Sequence, residues 1–327
     1  MQKQLVALNK EETRAPKPPP SWRKIKDGIA EKSFILATVL PLFLVLVIIS
    51  ALLVRTQPIL EAKSFWDLIA GKVWKPMQGE FGFYPFITGT AWVTAVGMAL
   101  AVPPSLLSAI YLAEYARSST RSLMKPLLDI LAAIPSVVYG VWGMIVIVPW
   151  VQGNVSPFLG RTLGFIPLFT SDNPTGFSVV AGGIVLAVMV APFIIAVTYE
   201  VIRTVPDGLR EASLAVGATR WQTIKFAVIP HILPGIVAGV VLGSSRALGE
   251  TMAVLMVVGN VAKAPGSIFD PAYPLPALIA NAYGEVMSIR LYDAALMGAA
   301  LMLLIIVMIF NILSTLVLRR LMKRSMA

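Results

Sequence analysis

Val205-Pro206-Asp207-Gly208-Leu209-Arg210-Glu211-Ala212-Ser213-Leu214-Ala215-Val216-Gly217-Ala218-Thr219-Arg220-Trp221, continuing to Ile229-Pro230, is a polar interval between two long apolar runs. Asp207 is a short acceptor placed before good helix formers, which predicts an N-cap. The helix then runs from Leu209 to Val216, and Gly217 occupies the left-handed stop position after it. Thr219 opens a second short helix, predicted to run through Ala227 and to end at Pro230. Leu209, Ala212, Ser213 and Val216 recur at i, i+3, i+4 and i+7 and so share one face of the first helix. An apolar stripe on a loop helix needs a partner: a groove in another protein, or lipid headgroups.

Working outward, the rest of the chain is membrane-like. Of 327 residues, 57% are hydrophobic and only 13% charged, half the usual charge of a soluble domain. Mean hydropathy is +0.79. A bilayer core about 30 Å thick needs roughly 20 apolar residues as helix. Six runs meet that need: 34–54, 86–112, 127–150, 179–198, 235–258 and 294–317. The first is too long for a signal-peptide core and reads as a retained anchor. Pro103 and Pro104 predict a kink or split in the second. The fold class is therefore an all-α polytopic membrane protein. Its permease domain spans 34–320. A basic, Pro-rich tail over 1–33 reads as disordered and solvated, and 321–327 is a short C-terminal end.

Lys and Arg set the orientation. Of 27, nineteen fall in the tail, after the second and fourth runs, and at the C-terminal end; seven fall in the alternate segments. Both termini and the 205–230 loop are thus predicted to be cytoplasmic. The net charge of +10 follows this topology and is not the solvated basic face that nucleic-acid binding requires.

The fifth run carries Arg246 and Glu250. A charge at the bilayer centre costs roughly 2.5–3.5 kcal/mol on insertion scales. Arg246 lies about 16 Å beyond Gly235 at helical rise, near mid-depth. Gly235, Gly239 and Gly243 form small-xxx-small steps that permit close helix packing. Continued as one helix, the run puts Gly239, Gly243, Arg246 and Glu250 on one face, which must look at protein or a polar cavity. Arg246 and Glu250 are predicted either to neutralise each other or to line a translocation path. On the path, Arg246 would bind an anion bidentately, and Glu250 would hold Arg246 between anions. Asp129 is predicted to pair with Lys125, four residues away. Tyr139 and Trp142 read as packing or interface aromatics.

Other chemistries lack their residues. There are no cysteines and one histidine, His231, so neither a disulfide framework nor a thiolate or histidine metal site is available. Gly71-Lys72 is followed by Val73, and Trp66 stands where a phosphate-binding loop needs its first glycine. No cofactor is expected in this chain, and no catalytic constellation supports an enzyme.

Glu211-Ala212-Ser213, Gly217 and Ile229-Pro230 resemble the EAA loop of ABC-importer permeases. Ser213 replaces the third alanine, and Ala227 and Ile229 replace the usual Ile and Leu, with the spacing kept. The resemblance implies a MetI-like fold and a coupling helix (Leu209, Glu211, Ala212, Ser213, Val216, Gly217) docked in a groove of a separate ATPase subunit, which would bind ATP and Mg. Three further strings are similar to phosphate-specific transport (Pst) permeases, the last favouring the PstC-type subunit. They are Ile110-Tyr-Leu-Ala-Glu-Tyr-Ala116, Ile134-Pro-Ser-Val-Val-Tyr-Gly-Val-Trp-Gly143, and Arg246-Ala-Leu-Gly-Glu-Thr-Met-Ala-Val254 with Gly259-Asn260. The resemblance covers roughly 34–320. It implies a bacterial inner or plasma membrane, a heterodimer with a PstA-like permease, two PstB-like ATPase subunits, and an extracytoplasmic phosphate-binding protein. Segments 55–85 and 261–293 would offer that protein a docking surface. Within the same architecture sulfate or molybdate remain alternative cargoes. An ion-coupled secondary transporter would show inverted repeats and paired helix breaks, and no counterpart to Pro103-Pro104 stands in the second half. A non-transporting scaffold is disfavoured by charges at mid-depth.

Overall fold

A computed structural model describes residues 22–170, 172–284 and 289–325. The chain falls into two units, residues 1–51 and 52–327. Among the described residues, six helices are long and apolar enough to cross a membrane. They are α1 (Trp22–Ala62), α2 (Tyr84–Ile110, continued by a π-turn over Tyr111–Tyr115), α4 (within the span Ser136–Leu163), α5 (Val179–Arg203), α7 (within the span Arg220–Leu248) and α10 (Arg290–Ser325). Between them lie α3 (Ser118–Ala133), α6 (Asp207–Ala215), α8 (Met252–Leu255) and α9 (Leu275–Ala282).

Several boundaries differ from the sequence reading. Helix α1 begins at Trp22, so 22–33 are helical rather than disordered; the rest of the tail lies outside the described residues. Helix α2 is not split at Pro103-Pro104 but runs through both to Ile110. The third span does not start at Leu127. Residues 127–133 close α3, Ile134 turns to ψ 129° ahead of Pro135, and a new helix starts at Ser136. A proline crowds the residue before it out of helical geometry, which places the break there. Pro230 does not end a helix. A π-turn over Ile224–Val228 leads into the helix Ile229–Leu248, with Pro230 in its first turn. Backbone dihedrals stay helical through Val228 and Ile229, so the chain passes Pro230 without a stop, directly behind the π-turn.

The unit 52–327 is organised around α5, the span with the largest buried share. Gly97 of α2 makes room for the Leu186 side chain and Gly183 of α5 for that of Val96, so these two helices pack closely. Val93, Ala101, Tyr139, Val148, Val185, Leu186, Val190 and Val254 form the principal core, drawn from α2, α4, α5 and α8. A second core joins Ile59, Leu68, Phe81, Phe83 and Phe86 to Leu275, Leu278 and the start of α10. Trp74 lies in it, with ring centroids 5.0–6.0 Å from Phe81, Phe83, Phe86 and Tyr292. A third core (Ala109, Ala113, Ile202, Val205, Val228, Ile232, Ile236) seats the 205–230 loop on the ends of α2, α5 and α7.

Candidate functional site

The three glycines of α7 face α5. A methyl group built on Gly235 would come 2.5 Å from Val201 Cγ1, on Gly239 3.0 Å from Val197 Cγ1, and on Gly243 2.8 Å from Ile194 Cγ1. Only glycine lets α7 lie this close, as small-xxx-small spacing implies. The packing carries α7 past Phe193 of α5 and puts Arg246 on its last full turn. The guanidinium carbon of Arg246 stands 5.8 Å from the Phe193 ring centroid, a cation–π distance. Arg246 is exposed on the isolated chain. Its place at a helix C-terminus favours positive charge.

The helix then stops. Gly249 N–H donates to Arg246 O at 3.2 Å, Glu250 N–H to Ala247 O at 3.3 Å, and α8 begins at Met252. The expected continuous face therefore ends after Arg246, and Glu250 is not one helical turn farther along it. Its carboxylate oxygen Oε1 accepts from Ala253 N–H at 3.2 Å, which caps α8. Among the described residues no ion pair joins Arg246 to Glu250 or to any other carboxylate. Mutual neutralisation is one expected alternative and a resting contact of Glu250 on Arg246 belongs to the other; the structure has in place of both a half-buried carboxylate on backbone and a cation over an aromatic ring. Where a span breaks within the hydrocarbon layer its backbone must be buried in protein or line water, since lipid cannot satisfy it. Gly259 and Asn260 both take positive φ (93° and 53°) just after α8, so the irregular backbone continues into the following loop.

Phe193 also lines a cavity of about 470 Å³ between α3 and α5, with Leu112, Met124, Lys125, Leu128 and Glu200. Lys125 Nζ pairs with Glu200 Oε1 at 2.8 Å, not with Asp129 as the sequence spacing suggested. The Glu200 carboxylate, by hydrogen bond and then by charge, raises the Lys125 ammonium above its ordinary 10.5. Tyr139 is buried and its hydroxyl donates to Leu131 O at 2.8 Å, a packing role; Trp142 is exposed.

In the 205–230 loop, α6 starts at Asp207 and is preceded by Pro206, with no side-chain cap; the Asp207 carboxylate instead accepts from Arg210 Nη1 at 3.1 Å. Gly217 has φ +85°, the left-handed stop its position required. Thr219 caps the second helix in a reciprocal box with Gln222. The predicted stripe divides. Leu209 packs into the third core and Ser213 Oγ lies 3.0 Å from Thr223 Oγ1, so both face the chain's own spans. Glu211, Ala212, Leu214 and Val216 are exposed, Val216 at 84%. The free apolar face is thus rotated from the predicted one, because a residue pair that seats the helix cannot also be offered outward. The sequence reading missed Arg210 and Glu114, whose side chains join at 2.9 Å across 96 residues.

Spans packed through small residues, a fifth span that breaks after Leu248 and an exposed helix–Gly–helix loop fit a transport permease of the ABC-importer type. Residues 101–326 match the family described as binding-protein-dependent transport system inner membrane component, and the chain belongs to that family. A phosphate transport system permease protein PstC of Xylella fastidiosa is 34% identical over 315 residues, covering 94% of this chain and 96% of that one. A PstC of Haemophilus influenzae is 37% identical over 250 residues, 76% and 79% of the two chains. Among solved structures, a bacterial ABC transporter involved in the import of the acidic polysaccharide alginate superposes with a TM-score of 0.51 at 19% identity. That match covers 91% of this chain and 99% of that one, and it shows the shared fold.

Proposed function

We propose that this chain is the PstC-type permease subunit of an ATP-driven, binding-protein-dependent importer of inorganic phosphate. Arg246 carries the reading. Among the described residues it is a cation with no carboxylate partner, set where a spanning helix breaks, on a chain whose relatives are named for phosphate transport. A guanidinium offers a planar fork that matches a tetrahedral oxyanion bidentately. Because Phe193 rather than a carboxylate holds it, anion binding need not first break a strong ion pair. The cation–π contact is weak enough, about 0.5–2 kcal/mol, for the anion to leave again. Glu250 positions α8 beside Arg246 and keeps the site from becoming a deep anion well.

The chain lies in a bacterial inner or plasma membrane with both termini and the 205–230 loop in the cytoplasm. A second, PstA-like permease closes the path. Two PstB-like ATPases bind ATP and Mg, one of them against the exposed side of α6. An extracytoplasmic phosphate-binding protein delivers the anion. The test is uptake of radiolabelled phosphate by cells lacking their own phosphate permeases and supplied with the whole complex. Competition by unlabelled phosphate, with none from sulfate or molybdate, supports the reading. Competition by sulfate or molybdate equal to that by phosphate would reassign the cargo.

A further inference from the structure

Helix α6 has no fully buried residue, so apolar packing alone attaches it weakly to the spans. Polar contacts supply the attachment, and Arg210 makes most of them. Its Nη2 and Nε donate to one oxygen of Glu114 at 2.9 and 3.2 Å. Nη1 donates to Val205 O at 2.6 Å, just past the end of α5, and Nη2 to Ile202 O at 3.1 Å in its last turn. The Arg210 and Glu114 side chains are only 19% and 13% exposed. Glu114 belongs to the π-turn that ends the second span. Arg121 of α3 grips that same turn through the carbonyls of Leu112, Ala113 and Ala116, each at 3.2 Å. One guanidinium thus fastens α6 to the ends of α2 and α5, and through the π-turn to α3.

We propose that Arg210 and Glu114 are positioning residues for energy coupling. The pair locks α6 to the second and fourth spans, so that a push on α6 moves those spans instead of bending the loop. This rests on the assignment of α6 as the contact to an ATPase. Charge-assisted bonds shielded from water are the strong, directional kind. A π-turn is a local defect that can take up a change of helix register. The opposite limb of the loop has the same plan, with Ser213 against Thr223 just ahead of the π-turn over Ile224–Val228. Asp207 contributes little to the lock, because its side chain is 90% exposed and such pairs are worth little.

The test uses the complete importer in liposomes, with ATPase rate and phosphate uptake measured on the same preparation, with and without phosphate-loaded binding protein. Glu114→Gln removes the charge, and Arg210→Lys keeps charge but loses the fork that reaches four acceptors at once. Both are expected to assemble with the ATPase subunits and to keep basal hydrolysis. Phosphate moved per ATP should fall about tenfold, the loss of one charge-assisted bond. Asp207→Asn should behave as wild type. Unchanged phosphate per ATP in both variants would overturn the proposal. So would loss of the ATPase subunits in proportion to lost uptake, which would make the pair an assembly contact. If the wild-type complex itself showed no response to loaded binding protein, the function proposed above would fail instead.

Discussion

Arg246 rests over the ring of Phe193, 5.8 Å from its centroid, and not against Glu250 four residues on. The helix ends between them, and Glu250 turns back to cap α8. Two residues that helical periodicity would pair therefore do separate work.

If Arg246 meets the anion, its geometry matters as well as its charge. Arg246→Lys keeps a positive charge but offers no bidentate fork, and Arg246→Gln removes the charge. In an assembled complex, uptake should fall about tenfold or more for Lys, corresponding to roughly 1.5–3 kcal/mol for a charge-assisted bond, and to background for Gln. Radiolabelled phosphate uptake, normalised to complex in the membrane, measures it. Wild-type uptake by both would end the role given to Arg246.

Glu250 acts on backbone. Glu250→Gln retains an oxygen acceptor for Ala253 N–H, while Glu250→Ala retains none. Loss of a cap costs about 0.5–2 kcal/mol. The Ala variant should melt earlier in detergent and transport poorly, and the Gln variant should melt near wild type. Equal melting of the two would contradict a capping role.

Gly243 has no room for a methyl group, with Ile194 Cγ1 2.8 Å from where it would stand and Val190 Cγ1 at 3.3 Å. Gly243→Ala must push α7 off α5 or distort both, at about 1–3 kcal/mol. Gly28, with open space around its would-be Cβ, gives the control. Thermal unfolding of the purified complex should show a clear loss for Gly243→Ala and none beyond helix-propensity gain for Gly28→Ala.

The Lys125–Glu200 bridge has a defined pH signature. The Lys125 pKa is raised by Glu200, so its contribution is present below 10.5 and is lost as pH climbs through the raised value. Both side chains are about 60% exposed, which screens the pair. Lys125→Gln should lower the melting temperature slightly across the neutral range, and the difference from wild type should close as pH rises through the raised pKa. A difference that persists undiminished above that pH would contradict the pairing.

Local patterns made much of this legible in the sequence. Apolar runs marked six spans because lipid demands length and composition. Gly217 and Thr219 announced their roles because a left-handed stop and a capping hydroxyl are decided by near neighbours. Boundaries set by competition were harder. Pro103-Pro104 looks like a breaker, yet α2 continues through it, packed against α5. Ile134-Pro135 does break a helix, inside what hydropathy alone joined as one span. Glu250 was misread because periodicity assumes an unbroken helix, and Gly249 alone does not announce a stop. The inward turn of Leu209 and Ser213 depends on neighbours from other elements. Arg210 and Glu114 had no local signal, since 96 residues separate them and only the fold brings them together.

The proposed coupling role requires the exposed side of α6 to face the compartment that holds ATP. Val216 lies there at 84% exposure, and the chain has no cysteine to confuse a label. With Val216→Cys in the assembled complex, a membrane-impermeant maleimide should react in inside-out vesicles and not in intact cells. A short bifunctional crosslinker should join that position to the ATPase subunit. Labelling from the outer side of intact cells would place α6 away from any ATPase and contradict the account.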